Sequence, residues 1–151
     1  DGGADRQDSV AAGMAALGGE VRLVAVHDGA RPLVSPEDID RCVAAAAEHG
    51  AASLARRVVE TMKRSDAEGF CLAPVERENL WGMETPQVFG RELLEAAYRN
   101  VIAAGLAVTD EVSAIQAAGG SVRFVESRHP NLKITTPADL ALAGALIHLQ
   151  K

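Results

Sequence analysis

Val21 to Val26 reads VRLVAV, a valine- and leucine-rich run that suits a strand in a sheet buried on both faces, with Arg22 near its start. An explicit helix start comes after it. Ser35 can cap, Pro36 suits the first turn, and Glu37 and Asp38 complement the helix dipole, so a helix is predicted to run to about His49 and stop at Gly50. This strand-then-helix pattern recurs. Ser121 to Val125 reads as a strand, Leu132 to Thr135 as a short strand, and Thr136-Pro137-Ala138-Asp139 repeats the cap-plus-proline start of a last helix. Asp8 to Leu17 has Val10, Met14 and Leu17 on one helical face. Arg91 to Ala104 has helical spacing at Leu94, Ala97 and Val101 and ends at Gly105, and Thr109-Asp110-Glu111 opens a helix that ends at Gly119-Gly120. Ala51 to Val59 and Phe70 to Val75 read as extended, with a polar, turn-like Lys63 to Gly69 between them, so these two form a hairpin or an arm. Alternating strands and helices joined by short turns define an α/β fold with a largely parallel sheet, whose ligands sit outside the strands' carboxyl ends.

The chain has 151 residues, enough for one domain with a sizeable core but hardly for two. Its 48% hydrophobic and 24% charged residues exclude wholesale disorder, and a net charge of −6 argues against general nucleic-acid binding. No apolar run is long enough for a membrane-spanning helix, and Asp1-Gly2-Gly3-Ala4-Asp5 does not read as a signal peptide. Cys42 and Cys71 cannot build a disulfide framework, and the cysteines and histidines lack zinc-site spacing, so the expected setting is the reducing cytoplasm. The first residue is Asp1, and its neighbours read as the interior of a domain, so an amino-terminal part is expected to be missing.

The most informative segment is Val26-His27-Asp28-Gly29-Ala30-Arg31-Pro32. A carboxylate just past a buried strand is placed to hold a divalent metal or a ribose, and Arg31 offers a planar fork suited to phosphate. The competing reading is a loop in which Asp28 and Arg31 merely pair with each other. Gly2-Gly3 precedes a helix start that includes Ser9, where backbone can approach a base or phosphate closely; a plain cap and turn is the alternative. Glu60-Thr61-Met62-Lys63-Arg64 puts a hydroxyl and two cations in an exposed extended stretch, readable as a phosphate contact or as a solvated face. Trp81 reads as packing over the core edge, Thr85-Pro86-Gln87 as a rigid polar turn, Thr109 as a helix cap, and Cys42 as core. Lys133, flanked by Leu132 and Ile134, points either into a cleft, where a phosphate balances its charge, or to water from an edge strand.

In this order the segments carry more than any one alone. The run comprises Gly2-Gly3, Arg6 and Asp8-Ser9-Val10, then Val26-His27-Asp28 with Arg31-Pro32, then Thr61-Met62-Lys63-Arg64. It continues with Leu80-Trp81, Thr85-Pro86-Gln87, Phe89, Thr109-Asp110-Glu111, Asn131-Leu132-Lys133-Ile134-Thr135, Pro137 and Asp139-Leu140. It resembles the 2-C-methyl-D-erythritol 4-phosphate cytidylyltransferase family of non-mevalonate isoprenoid biosynthesis, over essentially the whole chain.

The resemblance implies a Rossmann-like nucleotidyltransferase with a mostly parallel sheet. Residues 1–151 would be the carboxyl-terminal portion of one domain, with a protruding β-arm at about 57–77 and the first strand or strands missing. It implies a cytoplasmic homodimer joined through the arm, with no nucleic-acid or membrane partner. CTP and 2-C-methyl-D-erythritol 4-phosphate are the implied substrates, Mg²⁺ the cofactor, and 4-diphosphocytidyl-2-C-methyl-D-erythritol and pyrophosphate the products. Gly3 and Ser9 match positions that contact cytosine, and Gly29 one beside the nucleotide. Asp28 matches the carboxylate near the metal and the substrate hydroxyls. Arg31, Thr85, Thr109 and Lys133 match the pocket of the alcohol phosphate, with Asp28 and Lys133 taken as the catalytic pair. Thr61 and Arg77 match arm residues supplied to the partner's site. Glu60 and Gly29 stand where the family more often has aspartate and alanine. The family's opening strand and its glycine-rich loop with an Arg and a Lys have no counterpart here, so the 151 residues alone are expected to be a truncated copy, inactive or poorly folded. A cytidylyltransferase for another polyol phosphate, such as ribitol 5-phosphate, and a non-catalytic degenerate nucleotide-binding module remain the alternative readings.

Overall fold

The Ser35 hydroxyl accepts the Asp38 N–H, Pro36 stands in the first turn, and Gly50 closes the helix in the left-handed conformation at φ 84°. These three residues give the 36–49 helix both its ends, as predicted. The computed structural model of the chain describes residues 6–147. The elements are α1 (Arg6–Ala15), β1 (Leu23–Val26), α2 (Pro36–His49), β2 (Ala51–Arg57), β3 (Met62–Ser65), β4 (Cys71–Val75), β5 (Trp81–Gly90), α3 (Arg91–Ala103), α4 (Glu111–Ala117), β6 (Arg123–Glu126) and α5 (Pro137–Ile147). Gly3 lies outside the described residues.

The main sheet has the order β1-β5-β2-β6. β5 pairs antiparallel with both β1 and β2, while β2 and β6 pair in parallel. β1, β2 and β6 therefore share one direction, and β5 runs against all three between β1 and β2. The strand directions are mostly parallel as predicted, but the sheet is mixed because its longest strand is reversed.

That strand is also where the reading from sequence fails. Thr85-Pro86-Gln87 is no turn: it lies buried in the middle of β5, with a cis bond between Thr85 and Pro86. The β2 ladder skips here, passing from Ser53↔Gln87 to Ala55↔Met83. Proline has no N–H to give a ladder, and the irregularity absorbs it. Three further elements differ from expectation. β1 is an edge strand of the described sheet with mostly half-buried side chains, not one buried on both faces. The stretch taken as a polar turn begins with a strand: Met62–Ser65 pairs with Cys71–Val75, so the hairpin is β3–β4, and its turn closes where the Phe70 N–H reaches the Asp66 carboxylate at 2.8 Å. Leu132 to Thr135 joins no strand pair among the described residues and is held instead by Ile134 N–H on the Ala30 carbonyl.

Two apolar clusters flank the sheet. Phe89 and Ala51 pack with Met14, Leu94, Ala97, Tyr98, Val101, Val112 and Ile115, which places α1, α3 and α4 on one face. Ala52, Leu54, Val88 and Val125 pack with Cys42 and Ala46 of α2 on the other. Phe89 has no exposed surface, and truncating it to alanine would cost about 3–5 kcal/mol.

Candidate functional site

The register brings three strands' ends to one edge. Val26 faces Gln87, Arg57 faces Trp81, and Ala55 faces Glu126, so the carboxyl ends of β1, β2 and β6 all point toward the end of the sheet where β5 begins. The segments that leave this edge carry most of the predicted site residues.

Asp28 stands two residues past the end of β1 and sits among three cations. Lys133 Nζ is 3.0 Å from Oδ2, Arg31 Nε is 3.5 Å from the same oxygen, and Arg6 Nε is 3.9 Å from Oδ1. Burial alone would push the Asp28 carboxyl up; the Lys133 ammonium, with Arg6 and Arg31 behind it, overrides this and holds it below the usual carboxylate range. Asp28 and Arg31 do pair with each other, but inside a larger ring of charge. Arg31 is fixed by its terminal nitrogens, which donate to the carbonyls of Asn131 at 2.7 Å and Met83 at 3.3 Å. Lys133 remains half-exposed.

The Thr-Pro-Gln motif serves as a bracket. Thr85 Oγ1 accepts the Asp28 N–H at 3.1 Å and lies 2.9 Å from His27 Nδ1. His27 Nε2 is 3.1 Å from the Arg31 carbonyl, which can only accept, so Nε2 carries a proton. Gln87 reaches the other way: Nε2 donates to Asp110 at 3.0 Å, and Oε1 accepts the Val112 N–H. One buried stretch of β5 thus holds both the Asp28 loop and the start of α4. Thr85 is 4% exposed, so its part is to position the loop rather than to face solvent.

The Lys133 segment is stapled along its length. Ser127 Oγ donates to the buried Glu84 carboxylate at 2.5 Å, and Asn131 Nδ2 donates to Glu84 and to the Thr85 carbonyl. The N–H groups of Arg128 and His129 both donate to buried Asp38 in the first turn of α2. Burial would raise the Asp38 carboxyl; these N–H bonds, the His129 ring and Arg41 hold it below its ordinary value instead. Arg56 lies 3.3 Å from Glu84 on the other side.

Sequence reasoning gave no role to Arg6, Tyr98 or Glu111. Glu111 is fully buried, and both its oxygens meet the Arg6 guanidinium, at 2.5 and 2.6 Å. The Tyr98 hydroxyl adds a third bond to Glu111 at 2.9 Å. Burial and the neighbouring Glu111 push the Tyr98 phenol well above its ordinary value. A glutamate at a helix start, with Arg6 in a glycine-led motif far along the chain, was the signal available.

The other predicted residues divide. Thr109 is exposed and does not cap α4; Asp110 does, accepting the Ser113 N–H at 2.9 Å. The Arg6–Glu111 pair nevertheless puts this helix start beside Asp28. Gly29 is exposed, with open space where a side chain would stand, and Ser9 is exposed on α1. Thr61 and Arg77 belong to the hairpin region rather than to the Asp28 ring; Arg77 donates to the Val59 carbonyl. Trp81 lies at the hairpin's root, with the Arg57 guanidinium 4.5 Å over its ring and Phe124 at 5.7 Å. Cys42 is buried, as predicted. Among the described residues no cluster of three His, Cys, Asp or Glu side chains could hold a metal, and no helix is long and apolar enough to cross a membrane.

A sheet with helices on both faces, a cationic site at the strands' carboxyl edge and a separate hairpin together define the Rossmann-like nucleotidyltransferase class. The profile described as "IspD: 2-C-methyl-D-erythritol 4-phosphate cytidylyltransferase" matches residues 1–149. The protein of that name from Pelotomaculum thermopropionicum is 44% identical over 146 residues, covering 97% of this chain and 61% of its own length. The Aeromonas hydrophila protein is 45% identical over 150 residues, covering 99% and 61%. The crystal structure of the Thermus thermophilus protein superposes with a TM-score of 0.90 at 38% identity, over 98% of this chain and 71% of that one. The Francisella tularensis structure gives 0.89 at 32%, over 97% and 70%. The chain belongs to the 2-C-methyl-D-erythritol 4-phosphate cytidylyltransferase family. It spans about three-fifths of the length of these curated relatives.

Proposed function

We propose that this chain contributes the alcohol-phosphate half of a cytidylyltransferase site, serving transfer from CTP to 2-C-methyl-D-erythritol 4-phosphate in isoprenoid biosynthesis. The observation that carries the reading is the ring of three cations around the single carboxylate of Asp28. Such a ring has positive charge to spare for a phosphate monoester. In the reaction, a phosphate oxygen of the alcohol attacks the α-phosphorus of CTP. A new P–O bond forms, the bond to the β-phosphate breaks, and pyrophosphate leaves with the electron pair. The nucleophile is already an anion near neutral pH, so no strong base is required, and the protein's work is to hold two repelling anions in line. Lys133 meets the alcohol's phosphate, Arg31 and Thr85 fix the loop that carries Asp28, and Asp28 meets the substrate hydroxyls. Thr109 lies by the helix start beside the ring, and Gly29, Ser9 and Gly3 belong to the nucleotide side.

Mg²⁺ suits this donor set in one way only. Asp28 Oδ1 carries just the longer Arg6 contact among the described residues, so it can give one oxygen to an ion that takes its other ligands from phosphates and water. When bound, the ion would neutralise charge building on the phosphates.

The β3–β4 hairpin is read as the arm of a homodimer that brings Thr61 and Arg77 to the partner's site. Its exposed Met62, Phe70 and Leu72, with Val59 beside it, are the apolar surface such a contact needs. The thiols of Cys42 and Cys71 are both free, which accords with a cytoplasmic setting; the reading calls on no membrane or nucleic-acid partner.

Calorimetric titration of the chain with 4-diphosphocytidyl-2-C-methyl-D-erythritol tests the reading. Binding that Lys133→Ala weakens supports it. No binding, or equal binding of a ribitol-derived CDP-alcohol, overturns it in favour of a degenerate module or of the sister activity.

A further inference from the structure

The Arg6 guanidinium places both terminal nitrogens on the carboxylate of Glu111, and Glu111 has no exposed surface. A bidentate pair to a buried partner, tied further by the Tyr98 hydroxyl, leaves the guanidinium one orientation. In that orientation Nε faces Asp28 Oδ1 at 3.9 Å. Lys133 and Arg31 approach the other oxygen, Oδ2, at 3.0 and 3.5 Å. Asp28 is therefore shared: one side faces a cation locked from α4 and α3, the other faces two cations of the carboxyl edge.

We propose that Arg6, clamped by Glu111 and Tyr98, is a further positioning residue of the site: it holds Asp28 from the side opposite Lys133 and so leaves the Lys133 charge available to an incoming phosphate. Without Arg6, Asp28 loses its counterweight, turns wholly to Lys133, and neutralises the charge a phosphate needs. The fork is required as well as the charge, because a lysine ammonium cannot clasp both oxygens of Glu111 and still face Asp28. The phosphate role rests on the cytidylyl-transfer reading; the Arg6–Asp28 coupling does not.

The test uses the whole 151-residue chain, labelled for NMR. Without any ligand, the Arg6 Nε–H signal is expected to shift in Asp28→Asn, and its terminal N–H signals to vanish into solvent exchange in Glu111→Gln. Titration with 2-C-methyl-D-erythritol 4-phosphate is then expected to give about tenfold weaker binding for Arg6→Gln, the order of one lost charge-assisted contact. CMP affinity is expected to stay the same. Arg6→Lys, which keeps charge without the fork and serves if the glutamine variant fails to fold, should not rescue binding. An Arg6 signal indifferent to Asp28→Asn overturns the coupling. Unchanged phosphate affinity in Arg6→Gln, or full rescue by lysine, overturns the positioning role. If the wild-type chain binds no phosphorylated alcohol, the functional reading falls, and the ligand-free spectra alone uphold or refute the coupling.

Discussion

Thr85→Val tests whether the bracket in β5 holds the site by hydrogen bonding or by shape. Thr85 is 4% exposed, and valine matches its outline, so the substitution removes a hydroxyl and little else. Two bonds go with it: the one accepted from Asp28 N–H at 3.1 Å and the one shared with His27 Nδ1 at 2.9 Å. His27 is exposed and can turn to water, so its bond is recovered in part. The Asp28 N–H is part-buried and loses its acceptor, which puts the total near ~2 kcal/mol. Thr85→Ser keeps the hydroxyl and loses one methyl, at about 1 kcal/mol. For a chain of this size the valine variant should melt roughly 4–8 °C lower, with a lower urea midpoint and an unchanged denaturant slope. The order of the two variants decides the matter. If serine costs as much as valine, or valine costs under about 0.5 kcal/mol, Thr85 is a packing residue and the bracket is no bracket.

Gly50 stands at φ 84°, so Gly50→Ala should destabilise the chain by about 1 kcal/mol, and an unaltered melting curve would remove the cap from the account. Burial pushes the Cys42 thiol up to about 11 while Cys71 is exposed, so a thiol reagent at about pH 8 should label one cysteine in the folded chain and two in urea; rapid native labelling of both would contradict the burial of Cys42. The depressed carboxyl of Asp38 contributes stability above the ordinary carboxylate value near ~4, and that contribution disappears as pH falls through its lower folded value. Asp38→Asn should therefore be less stable than wild type at about pH 6 and converge on it as pH falls through that lowered folded value; a gap that does not depend on pH would refute the charge-based account.

What the sequence made legible was local. Ser35, Pro36 and Gly50 mark the ends of α2 by chemistry acting within a turn or two, and all three act as read. Asp28, Arg31 and Lys133 stood out because a charge beside a buried strand needs a partner, and the fold joins them. β5 was opaque for the same reason in reverse. Its polar Thr85 and Gln87 and its Pro86 look like a turn when viewed locally, and only partners as distant as Asp28 and Asp110 make them a strand interior. β3 was legible only as an exposed extended stretch running into a turn, because all four of its residues are exposed and carry no burial pattern that would mark its end. Thr109 and Asp110 both suit a cap, and spacing cannot choose between them; the Ser113 N–H does. Arg6 and Glu111 were unreadable as a pair because nothing local connects a helix's first residue to a carboxylate on another helix.

The bonds that close the site each span well over half of the chain: Arg6 to Glu111 covers 105 positions, Arg31 to the Asn131 carbonyl 100, and Asp38 to Arg128 90. Each closes a loop whose entropic cost must be met by contacts formed along the way. A helix or a hairpin can arise early from neighbours in sequence, but the ring around Asp28 cannot precede the docking of α1, α4 and the 127–134 segment on a finished sheet. The ring is therefore a gauge of global order in this chain: a preparation with full helical signal and a loosened tertiary structure would lose the Arg6–Glu111 and Lys133–Asp28 contacts first.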